Sequence, residues 1–169
     1  FIWGNHEEWL WRWANGSKRL PYEFVNSTQP QIEEANISKR DLVQLLNKFE
    51  DAIWMKYGDK YIIVTHAGVS NLNYNVHFLS SSQYIRGVGP YSTAIDKIFT
   101  ENLIADSEDS YNIPVYQIHG HRNIDEINID TWKHSFNLEG QVEFGGHLRV
   151  VTIEQDSEFE FHEVKNNVF

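Results

Sequence analysis

The sequence predicts an α/β fold, and three patterns carry that expectation. Residues 61–65 (Tyr-Ile-Ile-Val-Thr) and 115–118 (Val-Tyr-Gln-Ile) are short β-prone runs bounded by turn formers, the mark of buried strands. Leu42, Leu45, Leu46, Phe49 and Ile53 recur at helical spacing. Beyond Gly140 apolar and polar residues alternate, as they do in half-buried antiparallel strands.

The elements follow in chain order. Phe1-Ile2-Trp3 is strand-like, and residues 7–14 form a short helix closed by Asn15-Gly16. Residues 16–30 are polar, hold two prolines and read as a loop. Residues 38–56 are predicted to be one helix, started by Ser38 as cap and followed by Gly58. A strand at 61–65 comes next, then irregular chain over 71–89, a helix over 92–99 after Pro90, and a strand at 115–118. Residues 142–144, 148–154 and 159–164 are expected as antiparallel strands, with Gly145-Gly146 turning between the first two. No internal repeat or low-complexity linker interrupts the chain, so residues 1–169 read as a single domain.

Composition excludes several classes. Six Trp, eight Tyr and ten Phe argue against disorder. A formal charge of −10 disfavours a general nucleic-acid-binding surface, which is normally basic. The absence of Cys removes disulfides and thiolate zinc sites and is compatible with a reducing, cytoplasmic setting. No apolar run approaches the roughly 20 residues that cross a bilayer, so no membrane partner is expected. Asn15-Gly16-Ser17, Asn26-Ser27-Thr28 and Asn36-Ile37-Ser38 match the glycosylation sequon, which abundant Asn explains better.

Three strand-like runs end in turns that carry His beside Gly: Gly4-Asn5-His6-Glu7, Thr65-His66-Ala67-Gly68 and Gly120-His121. Neutral imidazoles are good ligands for divalent transition metals, and an amide oxygen such as that of Asn5 can add another. A lone His at a strand end is more often a hydrogen-bonded core residue, and Gly-Asn is an ordinary turn pair. The small Ala67 and Gly68 beside His66, and two companion motifs, favour ligation. His119 lies on the same strand face as His121 and reads as a supporting or structural residue. Arg86 is a candidate phosphate clamp, since a guanidinium grips two oxygens at once. Arg122 is read as pointing away from the site, and His77, His134, His147 and His162 as structural or exposed. Trp3, Trp9, Trp11 and Trp13 are read as helix packing rather than a substrate groove.

The three blocks, in this order, resemble the last three motifs of the calcineurin-like metallophosphoesterases, closest to the phosphoprotein phosphatase branch. Asn123, where many broader members carry another His, points to the same branch. The resemblance runs from residue 1 to about residue 153 and implies the C-terminal half of a β-sandwich flanked by helices, with metals at the strand C-terminal edge. Phe144-Gly145-Gly146-His147-Leu148 resembles the hairpin that follows the last metal His. By resemblance, Asn5, His66 and His121 are metal ligands, and His6 is the general acid that protonates the leaving oxygen. Glu7 would cap the following helix.

The family's Gly-Asp-x-His-Gly and Gly-Asp-x-x-Asp-Arg-Gly blocks do not occur here, so the domain reads as N-terminally incomplete and, as an isolated piece, inactive. The implied cofactors are two divalent ions, with Mn2+ expected and Fe or Zn as alternatives. In such sites two cations roughly 3.5–4 Å apart acidify a water and bind phosphoryl oxygens. The expected activity is hydrolysis of phosphate monoesters on a phosphoprotein, nucleotide or polynucleotide. The competing expectation is a catalytically incomplete phosphoesterase-like binding module, against which the presence of His6 speaks.

Overall fold

A computed structural model describes residues 1–71, 79–107, 114–122, 134–154 and 158–167. The fold is mixed α/β: among the described residues there are five α-helices, a four-stranded mixed sheet and a C-terminal antiparallel hairpin. The chain divides into two compact units, Phe1–Glu50 and Asp51–Phe169.

The first unit is helical. Helix α1 (Asn5–Ala14) starts two residues earlier than its apolar pattern indicates, because Glu7 reaches back and accepts the Gly4 N–H at 3.0 Å. Residues 16–30 are not simply a loop. A π-helical turn (Phe24–Thr28) leads into α2 (Gln29–Glu34), whose first turn takes Pro30 where a missing N–H costs nothing. Buried Phe24 and Ile32 draw this polar segment into a core with Trp13 and Leu42. Helix α3 (Lys39–Leu46) opens on Ser38, whose Oγ accepts the Asp41 N–H at 3.1 Å. Trp3 donates its indole N–H to the Phe49 carbonyl at 3.0 Å, and Ile2 forms a parallel bridge with Glu50. Trp13 packs beside Phe24 and Trp9 against the same core, as their packing role requires, but Trp11 is exposed.

In the second unit, β1 (Ala52–Tyr57) replaces the latter part of the helix expected over 38–56. The reason lies in the spacing. Leu45, Phe49 and Ile53 are four apart, a step that suits a helix and a strand face equally. Strand pairing decides it: β1 runs antiparallel to β2 (Lys60–Thr65) across Gly58-Asp59, with Met55 opposite Ile62. Strand β2 pairs in parallel with β3 (Val115–His119), and β3 with β4 (Ser135–Asn137), in the order β1-β2-β3-β4.

Between β2 and β3 lie α4 (Ser81–Arg86) and α5 (Ile95–Ser107). Helix α4 falls inside the stretch expected to be irregular. Gln83 Oε1 accepts the Ser80 N–H at 2.8 Å, and Tyr84 and Ile85 are buried. Residues 72–78 of that stretch, with His77, lie outside the described residues, as does Asn123. Helix α5 begins three residues later than expected and continues past residue 99. Its Phe99 joins Ile63, Val69 and Tyr84 in the second core.

Residues 142–144 form a 3-10 turn rather than a strand. His147 N–H bonds Gly140 O at 2.8 Å and Gly146 N–H bonds Gln141 O at 3.0 Å, so the segment closes into a tight loop. Strands β5 (His147–Ile153) and β6 (Phe159–Lys165) then pair with Val150 opposite His162. None of the described helices is long and apolar enough to cross a membrane.

Candidate metal centre

The parallel pairing of β2 with β3 decides which residues meet. Val64 stands opposite Ile118, so both strands end at the same sheet edge. The backbone link continues beyond the strands, where Gly120 N–H donates to His66 O at 2.9 Å. Ligands in α/β sheets bind at the carboxyl ends of parallel strands. There the His66 and His121 rings lie 4.6 Å apart, centre to centre, at an interplanar angle of 38°.

The turn behind His66 is built tightly. Thr65 Oγ1 accepts the Gly68 N–H at 3.0 Å, and Ala67 N–H bonds Tyr84 O at 3.0 Å. Gly68 has φ +73 and lies flat against His119, whose ring a Cβ would meet at 3.0 Å. Gly is thus required there on both conformational and steric grounds.

His121 itself has φ +62, a left-handed conformation that costs a non-glycine residue on the order of 1–3 kcal/mol and clusters at functional sites. Its neighbours hold it. Arg122 N–H bonds Gly120 O at 2.8 Å, and the Glu139 carboxylate accepts the His121 N–H at 3.2 Å. Asn137 donates to Arg122 O at 2.7 Å and accepts the Glu139 N–H at 2.9 Å. Tyr91 sets its ring edge-on to His121 at 5.4 Å.

Under this edge runs a buried polar network. His119, 2% exposed, faces Asp96 Oδ1 with Nε2 at 3.0 Å, and Ser135 Oγ donates to the same oxygen. Gln117 donates to Ser135 Oγ at 2.8 Å and accepts the Val69 N–H at 2.9 Å. Burial pushes the Asp96 carboxyl up. The hydrogen bond and charge of His119, with the Ser135 hydroxyl, overcome that and hold it below the ordinary carboxylate range. Burial pushes the Arg122 guanidinium down, with Tyr91 acting in the opposite direction.

Two imidazole rings at one sheet edge are a donor pair of the kind a divalent cation takes. Imidazole nitrogens bind such ions at about 2.0–2.1 Å, which separates two ring centres by roughly 4.5–5.2 Å for right-angle to tetrahedral ligation. The observed 4.6 Å falls in that interval. Arg86, exposed at the end of α4, donates from Nη1 to Ser82 Oγ at 3.1 Å. Asn5 and His6 belong to the first unit, where they are the first two residues of α1. Asn5 is half-buried; His6 is exposed and rests on Trp9 with ring centres 4.5 Å apart. Among the described residues no group of three or more His, Cys, Asp or Glu is placed to hold a metal. His134 bonds Val115 O through Nδ1 at 3.0 Å, a structural role, and His162 is exposed.

Sequence reasoning overlooked Asp96, Ser135, Gln117, Asn137, Glu139 and Tyr91. None carries a local pattern, since each acts through partners distant in the chain. Arg122, expected to point away, is fully buried beside the site. No protein-family model matches the chain, and no curated protein matches it significantly.

Proposed function

We propose that the chain is part of a cytoplasmic, metal-dependent phosphoesterase acting on phosphate monoesters, with a phosphorylated protein or a small phosphoester as substrate. The observation that carries this reading is the convergence of the His66 and His121 rings at the carboxyl end of two parallel strands. Their imidazoles would hold one divalent cation of a pair, Mn2+ being the expected ion. The resemblance of Gly4-Asn5-His6-Glu7 assigns Asn5 an amide-oxygen ligand role and His6 that of general acid. When bound, the ions would supply positive charge to the phosphoryl oxygens and acidify a water.

The chain's own groups supply the rest. Arg86 offers a permanently charged fork for two phosphoryl oxygens. By the same resemblance, His6 would offer a proton to the departing alkoxide or phenolate. Water adds to phosphorus, the bond from phosphorus to the ester oxygen breaks, and alcohol and inorganic phosphate leave.

Turnover of p-nitrophenyl phosphate with added Mn2+ tests the reading. His6→Ala should lower kcat by about 100-fold or more, within the range of lost acid catalysis, while metal content stays near normal. His66→Ala should instead empty the metal site. Parallel loss of metal in His6→Ala would remove its acid role. Mn2+ binding with no turnover of any phosphoester would favour a phosphoesterase-like binding module.

A further inference from the structure

Arg122 is the largest fully buried side chain among the described residues, and it is a cation. Buried charges are normally paired with an opposite charge. Here, among the described residues, the guanidinium meets no carboxylate. Nη1 donates to Pro90 O at 2.6 Å and Nη2 to Val88 O at 2.8 Å, whereas Nε has no hydrogen-bond partner. Its carbon lies 6.0 Å from the Tyr91 ring centre, within cation–π range. Gly87, φ +76, packs on the guanidinium so closely that a Cβ would fall on Nη2. Four of the five residues at positions 87–91 therefore touch this one side chain. At its other end, the Arg122 backbone carries the turn of His121 and is tied to β4 through Asn137.

A long cation held by two main-chain carbonyls is poor core filling, because an apolar residue would fill that space without the desolvation cost. What Arg can do, and an apolar residue cannot, is fix two carbonyls of one loop in a rigid fork. We propose that Arg122 is a positioning residue: its buried guanidinium pegs the 87–91 loop, and through Tyr91 orients the His121 ring beside His66. The significance for cation binding rests on the functional reading above; the peg itself does not. The loop also follows Arg86 directly, so the same peg sets the point from which the candidate phosphate clamp leaves the fold.

The test uses the whole chain in three forms: Arg122→Lys, which keeps the charge but not the fork; Gly87→Ala, which crowds the guanidinium from the loop side; and Tyr91→Leu. Hydrogen exchange at residue 87 and at Thr93, whose N–H groups bond Gln83 O at 2.8 Å and Pro90 O at 2.9 Å, and the ring 1H–15N resonances of His121, are recorded without metal. Loop exchange should rise by about tenfold or more in Arg122→Lys and Gly87→Ala, the consequence of losing a charged hydrogen bond. The His121 ring resonances should move in both, and should move in Tyr91→Leu with loop exchange near wild type. Mn2+ affinity should fall by roughly 10–100-fold in Arg122→Lys, as for other residues that orient a ligand. A folded Arg122→Lys with wild-type loop exchange and unmoved His121 resonances would overturn the peg. Should Arg122→Lys fail to fold, the same null result in Gly87→Ala overturns it. Absence of Mn2+ binding to the wild-type chain overturns the cation reading alone, since the other two measurements contain no metal.

Discussion

The carboxyl end of the β2/β3/β4 sheet and the β5/β6 hairpin are stabilised in opposite ways. At the sheet edge the buried side chains are polar: Gln117, His119, Asp96, Ser135, Asn137 and Arg122 all lie at 4% exposure or less. The hairpin has an inner face that is apolar at one end, where Phe159 packs on Tyr116 and Phe136 with ring centres 4.6 Å away in each case, and that carries the Arg149–Glu163 ion pair farther along. Its outer face leaves Leu148, Val150 and Val164 exposed. Apolar burial is cheap and tolerant of rearrangement. A buried polar network is neither, because each unpaired member carries its full desolvation cost. The difference teaches where geometry is being held: the rigid, high-stakes region lies directly beneath His66 and His121.

Mutations at the two places should therefore differ in cost, and the widest gap is expected at Asp96. Asp96→Ala strips the partner from His119 Nε2 and the acceptor from the Ser135 hydroxyl and should lower urea stability by about 3 kcal/mol or more, as for other broken buried pairs. Acid sharpens the same point. The Asp96 carboxyl is held below its ordinary value in the folded chain, so the unfolded chain binds more protons as pH falls. Its stabilisation is complete above the unfolded value, about 3.9, and is lost as pH drops through the lower folded value. Urea stability measured from about pH 6 down to about pH 3 should then fall more steeply in the wild type than in Asp96→Asn. Equal slopes would remove Asp96 from the account of acid sensitivity.

Smaller losses follow. Gln117→Leu strands the Val69 N–H and removes the donor to Ser135 Oγ, and should cost about 2 kcal/mol in the same titration. Phe159→Ala removes a half-buried ring from the hairpin's inner face and should cost about 1.5 kcal/mol. Leu148→Thr, on the outer face, should stay within about 0.5 kcal/mol of wild type. A hairpin substitution as costly as Asp96→Ala would break the comparison outright.

These two regions also differ in how far they could be read in advance. Strands β2 and β3 were legible because β-prone residues and short length coincide between turn formers, and the His-bearing turns because their Gly neighbours stand out. Helix α3 was legible from Ser38. The region beyond it was not, since Phe49 and Ile53 satisfy two periods and only pairing with β2 selects the strand. Strand β4 has three residues, too few to show alternation. The 142–144 segment alternates like a strand, yet closure between Gly140 and His147 bends it into a 3-10 turn. The polar layer was invisible for a deeper reason. Asp96 and Ser135 are 39 residues apart, as are no two groups that local periodicity can relate. Arg122 looks like any surface Arg until its carbonyl partners at 88 and 90 are in place.

The most direct measurement is a double-mutant cycle on Mn2+ affinity, by calorimetry, with His66→Ala, His121→Ala and the pair together. If both rings hold one ion, each single change should weaken binding by about 100-fold or more, beyond the losses seen for supporting residues. The double variant should then be little worse than either single one, because the site is already lost. Wild-type protein that takes up no Mn2+, or single variants that bind it as tightly as wild type, would contradict a shared cation between His66 and His121.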